Sequence, residues 1–188
     1  GNPGDLLPTG HFAGNAVLLG CCDVIIATRS ANIGMGGPAM IEGGGLGQVR
    51  PEEIGPTAIQ TRNGVVDLDV ADEQAAIAAA KTYLSYFQGR IQDWEAEDQR
   101  HLRRLVPENR LRVFDVRKVI ETLGDSGSFL ELRRHFGPGM ITGLIRIEGH
   151  PFGLLANNYA HMSGAIQAHD ADKAARFIQL CNAHRLPI

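Results

Sequence analysis

The fold is decided by residues 10–47, which read GHFAGNAVLLGCCDVIIATRSANIGMGGPAMIEGGGLG. The stretch is dense in glycine, and its apolar run over residues 16–26 is interrupted only by Gly20 and Asp23. Glycine lacks a Cβ, so it occurs where the main chain bends sharply or approaches a ligand closely. The pattern predicts a site that is built from main-chain groups.

The apolar run predicts a buried helix from about residue 13 to Cys22, with Gly14 and Asn15 in its first turn. The first N–H groups of a helix lack internal partners and carry partial positive charge, which suits a developing oxyanion. A short buried strand over residues 24–28 follows, and residues 31–34 are interpreted as its hairpin-like successor. The predicted order is turn, helix, strand, strand and glycine-rich loop.

The pattern G-x-x-A-G-N-A, then C-D-V-I-I-A-T, then A-N-I-G-M resembles the crotonase superfamily of acyl-CoA enzymes. Within that superfamily, SANIGMGGPAMIEGGGLG at residues 30–47 resembles the carboxyltransferase (beta-type) component of biotin-dependent acyl-CoA carboxylases. Similar stretches recur through nearly the whole chain, at residues 52–56, 63–67, 83–87, 115–117, 128–131, 143–149, 156–158 and 171–178. The resemblance implies an α/β fold, the crotonase-like ββα superhelix, with parts of two tandem domains.

Composition is that of a globular protein, with 44% hydrophobic and 21% charged residues among 188. A net charge of −3 gives no footprint for nucleic acid or an anionic membrane surface. The sequence has neither a basic-then-apolar leader nor an apolar run of the roughly 18 residues that a spanning helix needs, so we expect a cytoplasmic protein. The three cysteines are interpreted as small buried hydrophobic residues, and the seven histidines lack metal-ligand spacing, so we expect no metal.

Three segments are predicted. Residues 1–89 are the latter part of an N-terminal crotonase-like domain on the acyl-CoA side, residues 90–112 a linker, and residues 113–188 the start of a C-terminal domain on the biotin side. Because Gly1 replaces an initiating Met and residues 186–188 resemble the start of a strand, the chain is interpreted as incomplete. Three arginines of the linker form either a basic rim for CoA phosphates or a solvated surface: Arg100, Arg103 and Arg104.

Local signals predict the remaining elements. A helix capped by Asp72 and ended by Gly89 carries an apolar stripe that we expect to be buried. Further helices are predicted after Asp115 and Ser128, and strands over residues 140–147 and 152–156 form a hairpin through residues 148–151. After a loop over residues 159–170, a helix follows over 171–184, in which Lys173 is expected to face solvent.

The resemblance also implies a reaction. Such an enzyme transfers the carboxyl group of carboxybiotin, carried on a partner protein, to the α-carbon of an acyl-CoA, and backbone N–H groups stabilise the enolate. The implied partners are the biotin carboxylase and biotin carboxyl carrier components and further copies of the chain, as a dimer or a hexamer. Gly14 and Asn15 match the family's catalytic oxyanion turn. The predicted substrate-binding residues are Ala13, Gly36, Gly37, Gly43, Gly44, Asn157, Asn158, Ser163 and Gly164.

Two alternatives stay open. An enoyl-CoA hydratase or isomerase is disfavoured, because the family's Gly-x-Pro-Glu segment reads Gly37-Pro38-Ala39 here and leaves only Glu42 as a substitute acid. A non-catalytic fragment that binds CoA or a partner subunit is favoured by the absence of the family's second oxyanion turn from residues 113–188. Acetyl-, propionyl- and methylcrotonyl-CoA are equally compatible substrates.

Overall fold

A computed structural model describes residues 10–12, 14–109 and 112–188. The chain forms two compact units, residues 1–79 and residues 80–188. The division between the units lies inside one helix. Residues 91–99 of the predicted linker belong to the second unit and hydrogen-bond to the rest of it, as in the bond from the Ile91 N–H to the Gly149 carbonyl. The predicted domain functions and the boundaries at 89 and 112 stay predictions.

The first unit contains two pairs of short parallel strands. β1 (Gly10–Phe12) pairs with β3 (Asn32–Gly34), and β2 (Ile26–Thr28) pairs with β4 (Leu68–Val70). The predicted hairpin between residues 24–28 and 31–34 is therefore wrong. The first of these strands pairs with β4, later in the chain, and the second pairs with β1, earlier in the chain. A parallel pair needs a long crossover connection, which local spacing does not reveal.

Short helices connect these strands. They are α1 (Gly14–Gly20), α2 (Pro38–Gly43), a 3-10 turn (Pro51–Glu53) and α3 (Thr57–Gln60), and α4 (Glu73–Ser85) continues into the second unit. Because α1 ends at Gly20, Cys21 and Cys22 lie beyond it and are exposed, so the prediction that they are buried is wrong.

The core of the first unit is made of small and branched side chains: Ala16, Ile25, Ala27, Ala31, Ile33 and Val66. The Asp67 carboxylate fixes the backbone beside this core by accepting the Ile25 N–H at 2.8 Å. Gly55 is required beside this core. It has φ +57°, and a Cβ there would lie 1.8 Å from the Ile33 carbonyl oxygen.

The cap of α4 is as predicted, because the Asp72 carboxylate accepts the Ala75 N–H at 2.8 Å. The predicted burial of its apolar stripe is wrong: Ile77 is 59% exposed and Leu84 is 57% exposed. The helix also ends at Ser85, before Gly89. Spacing identifies the apolar face of a helix, but it does not supply the neighbour that would cover that face.

The second unit contains a three-stranded antiparallel sheet in the order β5 (Leu130–Leu132), β6 (Met140–Ile147) and β7 (His150–Asn157). The predicted β6–β7 hairpin is confirmed. Its two turn residues, Glu148 and Gly149, have φ of 51° and 76°, as a type I′ turn requires. The Asp125 carboxylate fixes this turn by accepting both of their N–H groups at 2.8 Å.

The helices of the second unit are α5 (Leu102–Leu105), α6 (Val116–Leu123) and α7 (Ala168–Ala183), with 3-10 turns at Gln99–His101 and Met162–Gly164. The cap of α6 is as predicted, since Asp115 accepts the Arg117 N–H at 3.0 Å. The helix predicted after Ser128 is wrong, because residues 130–132 form β5. The Ser128 hydroxyl instead accepts the Arg146 N–H of β6 at 3.1 Å, so pairing between strands overrides the local capping signal.

Strand β6 is covered on both faces. Ile141 and Ile145 pack with Ile120 of α6, and α7 covers the opposite face. A Cβ on Gly153 of β7 would lie 2.6 Å from the Cys181 sulfur, which shows how closely α7 approaches the sheet. Among the described residues, no helix combines the length and apolar character needed to cross a bilayer.

Candidate functional site

The first part of the site lies at one edge of the β1–β3 pair. Because these strands are parallel, their carboxyl ends meet at the same edge, where ligands bind in open parallel sheets. Gly14 follows β1 there, and Gly36 and Gly37 follow β3. A Cβ on Gly37 would lie 3.8 Å from the Phe12 Cβ, so the two connections are neighbours.

Gly14 and Asn15 begin α1 and are exposed. A Cβ on Gly14 would meet no described atom within 4 Å, so open space adjoins the main chain at this point. N–H groups in the first turn have no acceptor inside the helix. Main-chain donors beside open space are what a thioester oxygen requires. Ala13 lies outside the described residues.

The glycines of the 34–47 loop fall into two places. Gly36 and Gly37 lie at the sheet edge, where Gly37 caps the start of α2. Gly43 and Gly44 lie at the other end of this six-residue helix, and the Gly44 N–H donates to the Met40 carbonyl at 3.0 Å. The first pair therefore lies beside the end of β1, which leads into α1, whereas the second pair lies at the opposite end of α2.

Glu42 is exposed and accepts a hydrogen bond from the Gln48 side chain at 2.8 Å. Its carboxylate is thus part of the surface of α2.

The predicted residues of the second unit form one turn and one buried support. The Asn157 amide donates to the Gly164 carbonyl at 2.9 Å and closes the turn that contains Ser163. Met162, Ser163 and Gly164 have φ of 44°, 56° and 83°, so three successive residues occupy the left-handed region.

Asn158, in contrast, is buried, and its side chain hydrogen-bonds to backbone groups. Its amide donates to the Pro138 carbonyl at 2.7 Å, and its side-chain oxygen accepts the Ala160 N–H at 3.2 Å. The structure therefore brings Asn157, Ser163 and Gly164 together and directs the Asn158 side chain into the support beneath them.

Sequence reasoning missed the other members of this support. Asp170 and Lys173 are each 1% exposed, so the expectation that Lys173 faces solvent is wrong. The Asp170 carboxylate accepts the N–H groups of Gly139 and Gln167, each at 2.8 Å. Lys173 Nζ donates to the Met140 carbonyl at 2.7 Å, and burial lowers the pKa of Lys173 to about 8.

A signal for this burial was present in the sequence. Asp170, Lys173, Phe177 and Leu180 follow one another at steps of three and four residues, which places all of them on one face of α7. Phe177 and Leu180 are buried as well. A charged pair that shares its helix face with core side chains indicates a buried polar support.

Arg100 is engaged within its own turn, because its guanidinium donates to the Asp98 carboxylate at 2.8 Å. Arg103 and Arg104 of α5 are exposed. Among the residues that the structure describes, no group of three or more histidine, cysteine, aspartate or glutamate side chains is placed to hold a metal ion.

Comparison with known proteins agrees with this architecture. Residues 9–188 match the carboxyl transferase domain family. The chain belongs to this family. An uncharacterized carboxylase of Bacillus subtilis is 34% identical over 187 residues, which cover 94% of the chain and 36% of that relative. The beta6 subunit of a biotin-dependent acetyl-/propionyl-coenzyme A carboxylase from Mycobacterium tuberculosis is 29% identical, covering 88% of the chain and 36% of the subunit.

Solved structures of carboxyltransferases share the fold. A single-chain, multi-domain long-chain acyl-CoA carboxylase superposes with a TM-score of 0.92 at 59% identity, over 95% of this chain and 18% of that one. A hexameric transcarboxylase 12S structure gives a TM-score of 0.82 at 26% identity, over 96% of the chain and 38% of that one. The predicted crotonase-like α/β fold of the carboxyl transferase chain is confirmed. The chain spans about a third of the length of these curated relatives.

Proposed function

We propose that the carboxyl transferase chain takes part in moving a carboxyl group from carboxybiotin to the α-carbon of an acyl-CoA. Membership of the family supports the reaction class. The observation that carries the proposal is the start of α1, where exposed main-chain donors adjoin open space at the carboxyl edge of the β1–β3 pair.

In the proposed reaction the bond between the biotin N1′ and the carboxyl carbon breaks. The biotin nitrogen takes the α-proton of the thioester, and the α-carbon forms the new bond to the carboxyl carbon. Negative charge accumulates on the thioester oxygen during this exchange, so fixed N–H donors lower the barrier. A strong protein base is not required, which agrees with the engagement of Glu42 with Gln48.

Each unit has a proposed role. In the first unit, the N–H groups at Gly14 and Asn15 bind the thioester oxygen, and four glycines leave room for the acyl-CoA: Gly36, Gly37, Gly43 and Gly44. In the second unit, the turn closed by Asn157 borders the biotin and includes Ser163 and Gly164. Asn158 supports this turn from below.

The proposed partners are a biotin carboxylase, a biotin carboxyl carrier protein that presents the cofactor, and further copies of the chain. Two features support them: the family itself, and the hexamer assembly that the transcarboxylase 12S relative forms. A cytoplasmic location is part of the same proposal, since acyl-CoA and the carrier must both reach the site.

The test replaces Asn15 in two ways, in the protein assembled with its biotin carboxylase and carrier. Asn15→Pro removes the backbone N–H while remaining compatible with the first turn of a helix. Asn15→Ala trims the same side chain and keeps the N–H. Losing one oxyanion donor lowers kcat by roughly 10²–10³-fold, so we expect this loss for the proline variant and a change within a few-fold for the alanine variant.

Carboxylation of acetyl-, propionyl- and methylcrotonyl-CoA is measured for both variants, with circular dichroism as a check on folding. A folded proline variant that keeps full kcat would refute the role of this N–H. Hydration of crotonyl-CoA is measured in parallel, and hydration without carboxyl transfer would establish the hydratase alternative.

A further inference from the structure

The second unit contains a groove that the proposed reaction does not use. Its volume is about 660 Å³, within the range of small-molecule sites. Three segments converge on it: the residues after α4, the start of β7 and the residues after α7. The side chains that matter most are Phe87, Arg90, His150, Phe152, His184 and Arg185.

The rim of the groove carries the positive charge of Arg90 and Arg185, and the imidazoles of His150 and His184 add further polar atoms. Arg90, His150, His184 and Arg185 are all exposed, and none of the residues that line the groove is acidic. The sequence lacks Asp and Glu over residues 81–92, 149–169 and 173–188, although the chain as a whole has a net charge of −3. A concave surface lined by one sign of charge attracts ligands of the opposite sign.

Local structural roles do not account for all of the basic side chains at the groove. A cation at the end of a helix interacts favourably with the helix dipole, which explains Arg185 after α7. Arg90 and His150 come from two other segments: Arg90 lies beyond the end of α4, and His150 begins β7. Arg90 is held in position, because its Nε donates to the Glu148 carbonyl at 3.1 Å.

The groove also offers flat apolar surface. The rings of Phe87 and His184 lie 4.4 Å apart between centroids, at an angle of 36°. Phe152 is half-buried beside them. Tyr86, deeper in the lining, already has the Arg146 guanidinium 5.2 Å from its ring centroid. Phe87 also contacts the Tyr83 ring, at 5.1 Å between centroids, so the exposed parts of Phe87 and Phe152 are the aromatic surface that remains for a planar ring.

We propose that this groove binds a phosphate monoester that carries a planar ring, of the nucleoside monophosphate class. The guanidinium of Arg90 and the imidazole of His150 contact the phosphate, because charge-assisted hydrogen bonds to phosphate are the strong ones. The base stacks on the aromatic faces, which accept any planar ring. The site belongs to the second unit, whereas the proposed thioester site belongs to the first.

The test measures binding of AMP to the full chain by calorimetry, in the presence of saturating acyl-CoA so that substrate sites are filled. The groove variant is Arg90→Gln/His150→Gln, which replaces two exposed side chains. The matched control is Arg112→Gln/Lys118→Gln, which neutralises two exposed cations of the same unit outside the groove.

We expect the groove variant to raise the Kd for AMP by roughly tenfold or more, since each charged hydrogen bond that is lost weakens binding severalfold. The control should stay within about twofold of the unsubstituted protein, on the same scale of binding energies. Adenosine and inorganic phosphate, measured separately, should each bind more weakly than AMP.

Three results would overturn the proposal: no binding of AMP at millimolar concentration, equal weakening by the control, or displacement of AMP by acyl-CoA. Binding is measured without turnover. A failure of carboxyl transfer therefore leaves this result intact, and a failure of AMP binding leaves the proposed reaction intact.

Discussion

Replacing Lys173 by Met should remove a pH dependence of stability that the folded structure imposes. Lys173 is 1% exposed, and its Nζ donates to the Met140 carbonyl at 2.7 Å. Methionine has an unbranched apolar side chain that replaces the stem of lysine up to Cε, and it has no titrating group. The comparison therefore isolates the ammonium group.

The size of the effect follows from the two pKa values. Burial lowers the pKa of Lys173 from 10.5 to about 8, so between these values the unfolded chain binds the proton more tightly than the folded chain does. Stability therefore rises with pH across this window. Integration from pH 7.5 to pH 9.5 gives about 2 kcal/mol of added stability for the protein with Lys173, and none from this position in Lys173→Met.

Nearby charges do not affect the comparison between the unsubstituted protein and Lys173→Met. Glu131, Arg117, Asp170 and Arg133 surround Lys173, and all four are present in both proteins.

The assay is urea unfolding at pH 7.5 and pH 9.5, followed by the fluorescence of Trp94, the single tryptophan of the chain, which lies in the same unit. Lys118→Met on the exposed surface of α6 is the control, and it should follow the unsubstituted protein. If Lys173→Met shows the same gain between the two pH values as the unsubstituted protein, to within about 0.5 kcal/mol, the assignment of a depressed pKa to burial is wrong.

Two further predictions concern backbone turns. Gly55→Ala should destabilise the first unit by more than about 2 kcal/mol, because φ is positive and the new Cβ would collide with the Ile33 carbonyl oxygen. At Gly43, a Cβ meets no described atom within 4 Å, so the control Gly43→Ala should be neutral or stabilising by up to about 1 kcal/mol. Thermal melts followed by circular dichroism measure both variants. Asp125→Asn should cost about 1–3 kcal/mol, because the carboxylate accepts both N–H groups of the β6–β7 turn, and Trp94 fluorescence in urea would show an unchanged midpoint if that reasoning were mistaken.

Signals confined to a few neighbouring residues predicted structure correctly. Asp72 and Asp115 cap their helices as their positions indicate, and the turn at Glu148 and Gly149 joins β6 to β7. The caps depend on side chains that reach the backbone two or three residues away, and the turn depends on the positive φ of its own two residues. Each of these signals therefore lies within one short window of sequence.

Signals that depend on distant partners were misleading. Ser128 precedes a pattern typical of a helix, yet residues 130–132 pair with β6 because their main-chain groups find partners there. For the candidate site, the glycine turn at Gly14 was predictable. Its proximity to Gly37 was not, since it arises from the parallel pairing of β1 with β3.

By itself, the sequence determined the family of the chain, its crotonase-like α/β class and the glycine-rich segment that surrounds the proposed thioester site. Only the tertiary structure decided that Cys21 is exposed, that the apolar face of α4 is uncovered and which strands pair in parallel. The physical reason is that burial and strand pairing are properties of two surfaces. A local pattern describes one of them, and the fold supplies the other.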